Sequence, residues 1–344
     1  MNLPDGNFLM ICRLQNNESE GFLGVCYLNS DFKPGGRTSI IRNSPVSKGK
    51  VMLEDPRLFR NKEKIYLSHV ESSPYLLYNS YTLVSEITDD TLRNALVIDY
   101  KKNRVALNVI DKQSSKENII KLPVKEWQIE KNWQFFIRGI NHYAIYNANK
   151  KHEIVEFDKH TGAILRKFTT YYKTVWNHGR ISGGASPVLF SDNFYYSFFH
   201  SWTTWNTPTR KENWEQRQYH IGVYAFESVP PFRIKKMSLK PILSGSNTDL
   251  ISASGHSVVF PGSAFYDSNS GKWILAVGWN DMFSKLLFMD HDEVKLSLVD
   301  VKPVNSAVAR TTAMMKRTYT LGMKMLRKIK NNQGKRSERK FLLQ

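Results

Sequence analysis

Short aromatic and β-branched runs recur along the whole chain, and they recur in a fixed order. They read "NFLMICRL", "FLGVCYL", "KIYLSHV", "NWQFFIR", "HYAIYN", "HEIVEFD", "NFYYSFFH", "YHIGVYAFE", "KWILAVGW" and "KLLFMDH". Gly, Asn, Asp, Ser and Pro separate them, which makes them strands bounded by turns. Helical periodicity is confined to the C-terminal stretch, and 111–130 fits no single period. Each unit opens on a polar or charged cluster, continues as a strand, a tight turn and a second strand, and ends in more polar third and fourth strands. The openings are "EDPRLF" for 54–84, "EKNWQFF" for 130–158, "GGASPVLF" for 183–226 and "GHSVVFPGSAFYD" for 255–289. A less regular first copy surrounds "GNFLMICRLQN" and "GFLGVCYLNSDF". Five such units predict an all-β, five-bladed β-propeller over 1–305, followed by a short basic, amphipathic helical tail over 306–344. The first strand of a propeller blade lines the central channel. The charged clusters, which look misplaced before apolar runs, then all face one axis.

With 344 residues, 41% of them hydrophobic, the chain can bury a full core. No apolar stretch approaches the length that crosses a bilayer, and "MNLPDGNFLMICRLQ" lacks a basic n-region and a long h-region, so a cytoplasmic protein is expected. Cys12 and Cys26 lie in apolar runs and form no disulfide or metal framework. No metal and no cofactor are expected. The net charge is +18, but from Arg310 onward eleven Lys or Arg face one acid, Glu338, so the tail holds ten of those charges. Met315, Tyr319, Met325, Leu326 and Ile329 recur there at roughly helical spacing. That suits either a peripheral contact with an anionic membrane or a terminal helix packing its Met face on the domain. No nucleic-acid motif accompanies the charge, so no specific nucleic-acid partner is expected.

The stretch "EDPRLF", then "EKNWQFF", then "GGASPVLF" with "YYSFFHS", then "HSVVFPGSAFY" with "LAVGWND" resembles, in order and spacing, the blade motifs of glycoside hydrolase family 130 and its mannosyltransferase relatives over roughly residues 8–290. The resemblance implies a five-bladed propeller holding a sugar at its axis and an inverting transfer of a hexosyl, mannose-like residue. It implies a glycan acceptor and either a sugar phosphate or a nucleotide-sugar donor. Asp55 matches the family's proton donor, and a carboxyl beside another carboxyl, partly withdrawn from water, holds its proton to the pH such a donor needs. Arg57 matches a residue that binds an anion or orients the acid. The plain alternative is a Glu54–Arg57 structural pair at a blade corner. Asp281 matches a sugar-binding aspartate, with Trp279 beside it to stack on a sugar face. Lys131 and Asn132 stand at the family's "KN" pair, His200 and His256 at polar channel positions and Arg13 at the first-blade arginine.

The chain departs from the family pattern where a phosphate-binding basic residue is common. Here "HYAIYN" ends in Asn147, leaving Arg138 and Arg180 as substitutes and tilting the reading from phosphorylase toward glycosyltransferase. An inverting hydrolase is the runner-up, with Glu54, Glu130 or Asp281 as its second carboxylate, and a non-catalytic glycan-binding propeller stays open. The stretch "SWTTWNTPTRKENWEQRQYH" holds three tryptophans and reads as a loop building an aromatic cleft.

Overall fold

The computed structural model describes residues 1, 3–15, 21–41, 52–61, 64–72, 80–87, 96–99, 104–107, 131–205, 216–246 and 255–305. The chain divides into two compact units, Met1–Lys302 and Pro303–Gln344. The tail expected over 306–344, the ambiguous 111–130, which contains no described residue, and Glu130 lie outside the described residues.

The described strands form five antiparallel sheets in chain order. The first holds β1 (Phe8–Gln15), β2 (Gly21–Leu28) and β3 (Pro34–Ile41); the second holds β4 (Met52–Asn61), β5 (Lys64–Ser72), β6 (Ser80–Glu86), β7 (Leu96–Asp99) and β8 (Arg104–Leu107). The third is β9 (Gln134–Arg138), β10 (Asn141–Asn147), β11 (Lys151–Phe157) and β12 (Ile164–Tyr171). The fourth contains β13 (Ser182–Gly183), β14 (Val188–Leu189), β15 (Phe194–Trp205), β16 (Gln216–Glu227), β17 (Ile234–Ser238) and β18 (Leu243–Ser244). The fifth is β19 (Val259–Asp267), β20 (Lys272–Trp279) and β21 (Phe283–Asp290), after which α1 (His291–Leu296) leads to β22 (Leu298–Asp300).

Alternation along each strand explains why the apolar runs are continuous. Phe135 faces the second sheet, packing with Phe59 and Tyr66, while its neighbour Phe136 faces the fourth, packing with Tyr195 and Phe226. Tyr195 and Phe199 likewise look back to the third sheet, and Tyr196 and Phe198 look forward to Trp273 and Leu275 of the fifth. Leu9 and Leu23 meet Leu53 and Leu67 between the first and second sheets. The fifth meets the first through Phe8 and Phe265, ring centroids 5.3 Å apart, and Phe32 and Phe288, 5.4 Å apart. A sheet covered on both faces needs apolar residues at successive positions, and this is the pattern the sequence carries. The result is an all-β, propeller-like fold.

Two details differ from the sequence expectation. Among the described residues the sheets hold three, five, four, seven and three strands, where about four per unit were expected. The seventh strand of the fourth sheet is β22, which pairs with β17 through Lys236 and Asp300, Met237 and Val299, and Ser238 and Leu298. Helix was expected in the tail alone, yet α1 forms where Asp292 and Glu293 occupy the first turn, Lys295 the last, and Val294 is buried. Cys12 and Cys26 are free and half-buried.

Burial also removes several histidines from water. His152 on β11 gives Nδ1–H to the Phe232 carbonyl at 2.7 Å and packs against Tyr224 and Phe226; burial pushes its pKa down to about 4. His69 on β5 is buried and, among the described residues, has no hydrogen-bond partner on either ring nitrogen; burial pushes it to about 4 as well.

Candidate active site

The "EDPR" stretch is a β-bulge in β4. Glu54 pairs with Val70 and Arg57 with Ser68, so Asp55 and Pro56 together oppose the one residue His69. Proline fits because the bulge asks no ladder N–H of it. Asp55 takes φ +50, a left-handed conformation that aspartate tolerates better than most residues. Three more residues at this end of the fold share that conformation: Asn132 (φ +65), Asn280 (φ +53) and Asp281 (φ +55). Asn280 and Asp281 are consecutive, and the Met282 N–H closes onto the Trp279 carbonyl at 3.1 Å, giving the turn hand that hairpins favour. Asn280 is buried and locked, its N–H donating to the Val258 carbonyl at 2.8 Å and its Oδ1 accepting from the Val258 N–H at 3.0 Å. Strained backbone held by its surroundings is characteristic of functional sites.

The "GG" at 183–184 is where the sheets meet. A Cβ on Gly183 would stand 2.0 Å from the Asn132 carbonyl oxygen, and one on Gly184 would stand 2.5 Å from Pro261 Cγ and 2.6 Å from the Phe198 carbonyl. Only glycine lets these backbones approach so closely. Arg57 ties the same point together. It is 3% exposed, and its Nε donates to the Gly184 carbonyl at 2.5 Å, Nη1 to the Asp55 carbonyl at 3.0 Å and Nη2 to Asn132 Oδ1 at 3.4 Å. Its guanidinium also lies 5.4 Å from the Phe260 ring centre. Arg57 therefore clamps the second sheet to the third and fourth, and it is not paired with Glu54. Arg57→Ala is expected to lower stability by about 3 kcal/mol, because one buried and two partly buried acceptors lose their donor, and Arg57→Lys to restore only part, because one ammonium cannot span the fork. Urea denaturation checks this; a loss under about 1 kcal/mol would mean those acceptors are solvated.

Around the clamp, each sheet, or the segment leading into it, contributes a charged or titratable group. Arg13 of β1 stands 3.7 Å from Glu54. Burial raises the Glu54 carboxyl above its ordinary range and the Asp55 charge adds to this, while Arg13 and Lys131 oppose and Asp281 raises it again. Asp281 keeps solvent contact, yet the protein packed around it raises its carboxyl too, with Arg13 opposing, Asp55 adding, and His256 and Lys131 opposing. His200 of β15 is buried and pushed to about 4 by burial, with Asp55 opposing; its Nδ1–H donates to the Gly183 carbonyl at 2.9 Å. His256 accepts the Arg217 backbone N–H at Nδ1, 3.3 Å away. Arg13, Glu54, Asp55, Lys131, His200, His256 and Asp281 thus lie close enough for their charges to act on one another. Carboxyls that hold protons to higher pH, beside a neutral imidazole and two cations, form a set able to exchange protons with a polar ligand.

Some expected residues stand elsewhere. Arg138 ends β9 at the hairpin opposite Asn141, the far end of the strand from Asn132. The reason is strand geometry: five or six residues of extended chain carry a side chain about 17–20 Å away. Arg180 is exposed on the segment beside Gly179, which abuts the Trp202 backbone. Trp279 is not a free platform, because Lys285 Nζ lies 3.9 Å from its ring centre and the ring packs on the core between the fourth and fifth sheets. Two residues went unnoticed in the sequence. Phe260 lies 4.8 Å from the His200 ring, and Arg217 lies near enough to lower the pKa of His256. Phe260 sits in a motif run and was open to notice, whereas no local pattern marks Arg217.

No protein-family model matches the chain, and no curated protein matches it in sequence. Solved structures do match. A candidate glycoside hydrolase from Bacteroides ovatus superposes with a TM-score of 0.54 at 11% identity over 84% of each chain. A glycosyl hydrolase from Bacteroides ovatus gives 0.53 at 11% identity, over 88% of this chain and 85% of that one. A structure from the glycoside hydrolase family 130 of mannoside phosphorylases, which contains glycoside hydrolases that target β-1,2-mannosidic linkages in Candida mannan, gives 0.51 at 12% identity over 85% and 83%. These likenesses agree with the propeller-like fold expected from the blade motifs: this chain shares its fold with a structure from glycoside hydrolase family 130.

Proposed function

We propose that the chain is a carbohydrate-active enzyme whose five sheets are the blades of a closed propeller, and that it transfers a hexosyl, mannose-like residue with inversion. The observation that carries this reading is the convergence of charged and titratable groups from all five sheets and the segments leading into them, around the bulge that holds Asp55. In this reading Asp55 protonates the departing glycosidic oxygen. Glu54 and Asp281 accept hydrogen bonds from sugar hydroxyls, and Asn132 and His200 fix the ring beside the acid. Arg13 and Lys131 receive the anion of a sugar phosphate or nucleotide-sugar donor; Lys131 is exposed and has no ion-pair partner among the described residues. Hydrolysis is the second reading, favoured by Asp281, an exposed carboxylate in the same cluster with room for water beside it.

The two readings differ in their need for a donor or acceptor anion. The test supplies β-linked mannosides with and without inorganic phosphate, and separately a panel of sugar 1-phosphates and nucleotide sugars with glycan acceptors. The readout is released phosphate, nucleotide or sugar, with the anomer identified by NMR. Turnover that requires phosphate or a nucleotide sugar, with inverted configuration, is expected. Sugar release independent of phosphate transfers the assignment to hydrolysis, and no turnover with any of them defeats both readings.

A further inference from the structure

The hairpin of β15 and β16 runs beyond the strands that flank it. β13 pairs with Phe199 and His200, and β18 with His220 and Ile221, whereas β15 and β16 continue to pair as far as Trp205 and Gln216. Side chains alternate between its faces. One face is bonded to the body of the protein. Ser201 Oγ accepts from Trp176 Nε1–H at 3.0 Å and donates to the His178 carbonyl at 2.5 Å, the His220 ring nitrogens meet Thr203 Oγ1 at 2.9 Å and Ser244 Oγ at 2.8 Å, and Gln218 Nε2 donates to the Gly245 carbonyl at 2.7 Å. These bonds hold the hairpin at a fixed angle.

The opposite face carries His200, Trp202, Tyr219 and Arg217. His200 stacks on Tyr219, ring centroids 6.0 Å apart and nearly parallel, and the Arg217 guanidinium carbon lies 4.2 Å from the Trp202 ring centre. This strip begins at His200, among the carboxyls, and leads away from them. Arg217 Nε is enclosed, and among the described residues it has no hydrogen-bond partner and no carboxylate pairs with this side chain. Its backbone is pinned, since the Arg217 N–H donates to His256 Nδ1 at 3.3 Å and the Arg217 carbonyl accepts the Ser257 N–H at 2.9 Å. A guanidinium laid over an indole, with no carboxylate partner among the described residues, is suited to a carboxylate or phosphate-type oxyanion. Along the strand Arg217 is four residues from Ile221, the partner of His200, or about 13 Å. That span is on the scale of the next units of a sugar chain.

We propose that Arg217, stacked on Trp202, binds an anionic group carried by the glycan itself, so that the substrate is an acidic oligosaccharide bearing a carboxylate or phosphate ester one or two units from the reacting bond. This inference rests on the carbohydrate reading above. The test uses the full chain and isothermal titration at low salt with three probes: a neutral β-linked trisaccharide, the same trisaccharide with a terminal uronic acid, and its 6-phosphate. Inorganic phosphate is titrated separately. The charged trisaccharides are expected to bind about tenfold to a hundredfold more tightly than the neutral one. Arg217→Gln should bring that ratio below about threefold, with Arg217→Lys in between. Should the glutamine variant not fold, the lysine variant alone must still reduce the ratio.

The outcomes separate the two ideas. Neutral sugar bound without any preference for charge, or a preference that Arg217→Gln leaves intact, overturns the role of Arg217 alone. Inorganic phosphate binding that depends on Arg217, without a charged-sugar preference, assigns the residue to free phosphate and overturns it too. No binding of any sugar defeats the carbohydrate reading itself.

Discussion

Asp55→Asn is expected to abolish nearly all turnover of natural substrates, by roughly two to four orders of magnitude, while leaving sugar binding close to unchanged. The substitution keeps the shape of the side chain and its tolerance of the left-handed backbone at φ +50, so the bulge survives and only the transferable proton is lost. The deficit should shrink for a donor with an activated aryl leaving group, because a weakly basic oxygen departs without protonation. Glu54→Gln is the necessary companion, since Glu54 shares the bulge and its carboxyl is raised by burial and by the Asp55 charge. It should lose less than about tenfold. Kinetics on both variants with natural and aryl substrates decide the matter. The reverse ranking would make Glu54 the proton donor, and full activity in Asp55→Asn would reduce "EDPR" to a charged corner.

Acid should destabilise the protein through its buried histidines. His69, His152, His200 and His220 are buried, and burial holds each at about 4 against an ordinary 6.5. A folded-state value below the unfolded one means that the unfolded chain binds more protons between those limits. Stability from these groups is complete above pH 6.5 and is lost as the pH falls toward 4. By pH 5 each such histidine subtracts on the order of 2 kcal/mol. Glu54 and Asp281, both raised, work in the opposite sense and offset part of the loss. Urea midpoints at pH 7 and pH 5 provide the measurement, and equal midpoints would refute the expectation. His69→Leu should flatten the dependence, since His69 has no hydrogen bond to lose among the described residues and the change removes one buried titrating ring.

The strands were legible because burial on two faces writes itself into composition: "NWQFFIR" is apolar throughout since Phe135 and Phe136 enter different cores. The edges of the sheets were not. β22 is the three residues "LVD", too short to show a period, and its pairing with β17 depends on a chain reversal through α1 that no local signal announces. The site was partly readable. "EDPR", "KN", "GG" and "ND" mark its backbone, and asparagine, aspartate and glycine are the residues that left-handed or crowded backbone selects. Roles were harder to read than positions. Arg57 is consumed by carbonyls, and Trp279 has a lysine on its face, because both depend on neighbours more than a hundred or only a few residues away that folding brings together. Arg217 was invisible, since its place follows from a parallel bridge between Gln218 and Ser257.

The return of β22 to the fourth sheet leaves the first and fifth sheets joined differently from a ring fastened by a shared strand. Among the described residues no ladder crosses between them, and their meeting is a seam of phenylalanine rings: Phe8 on Phe265, Phe32 on Phe288. Ring contacts resist separation but carry no register, so this junction can slide or part without breaking a backbone hydrogen bond. Arg13 belongs to one lip of the seam and Asp281 to the other. A ligand gripping both would act as a rivet across the seam, so the same contact that recognises the ligand would also fasten the first sheet to the fifth.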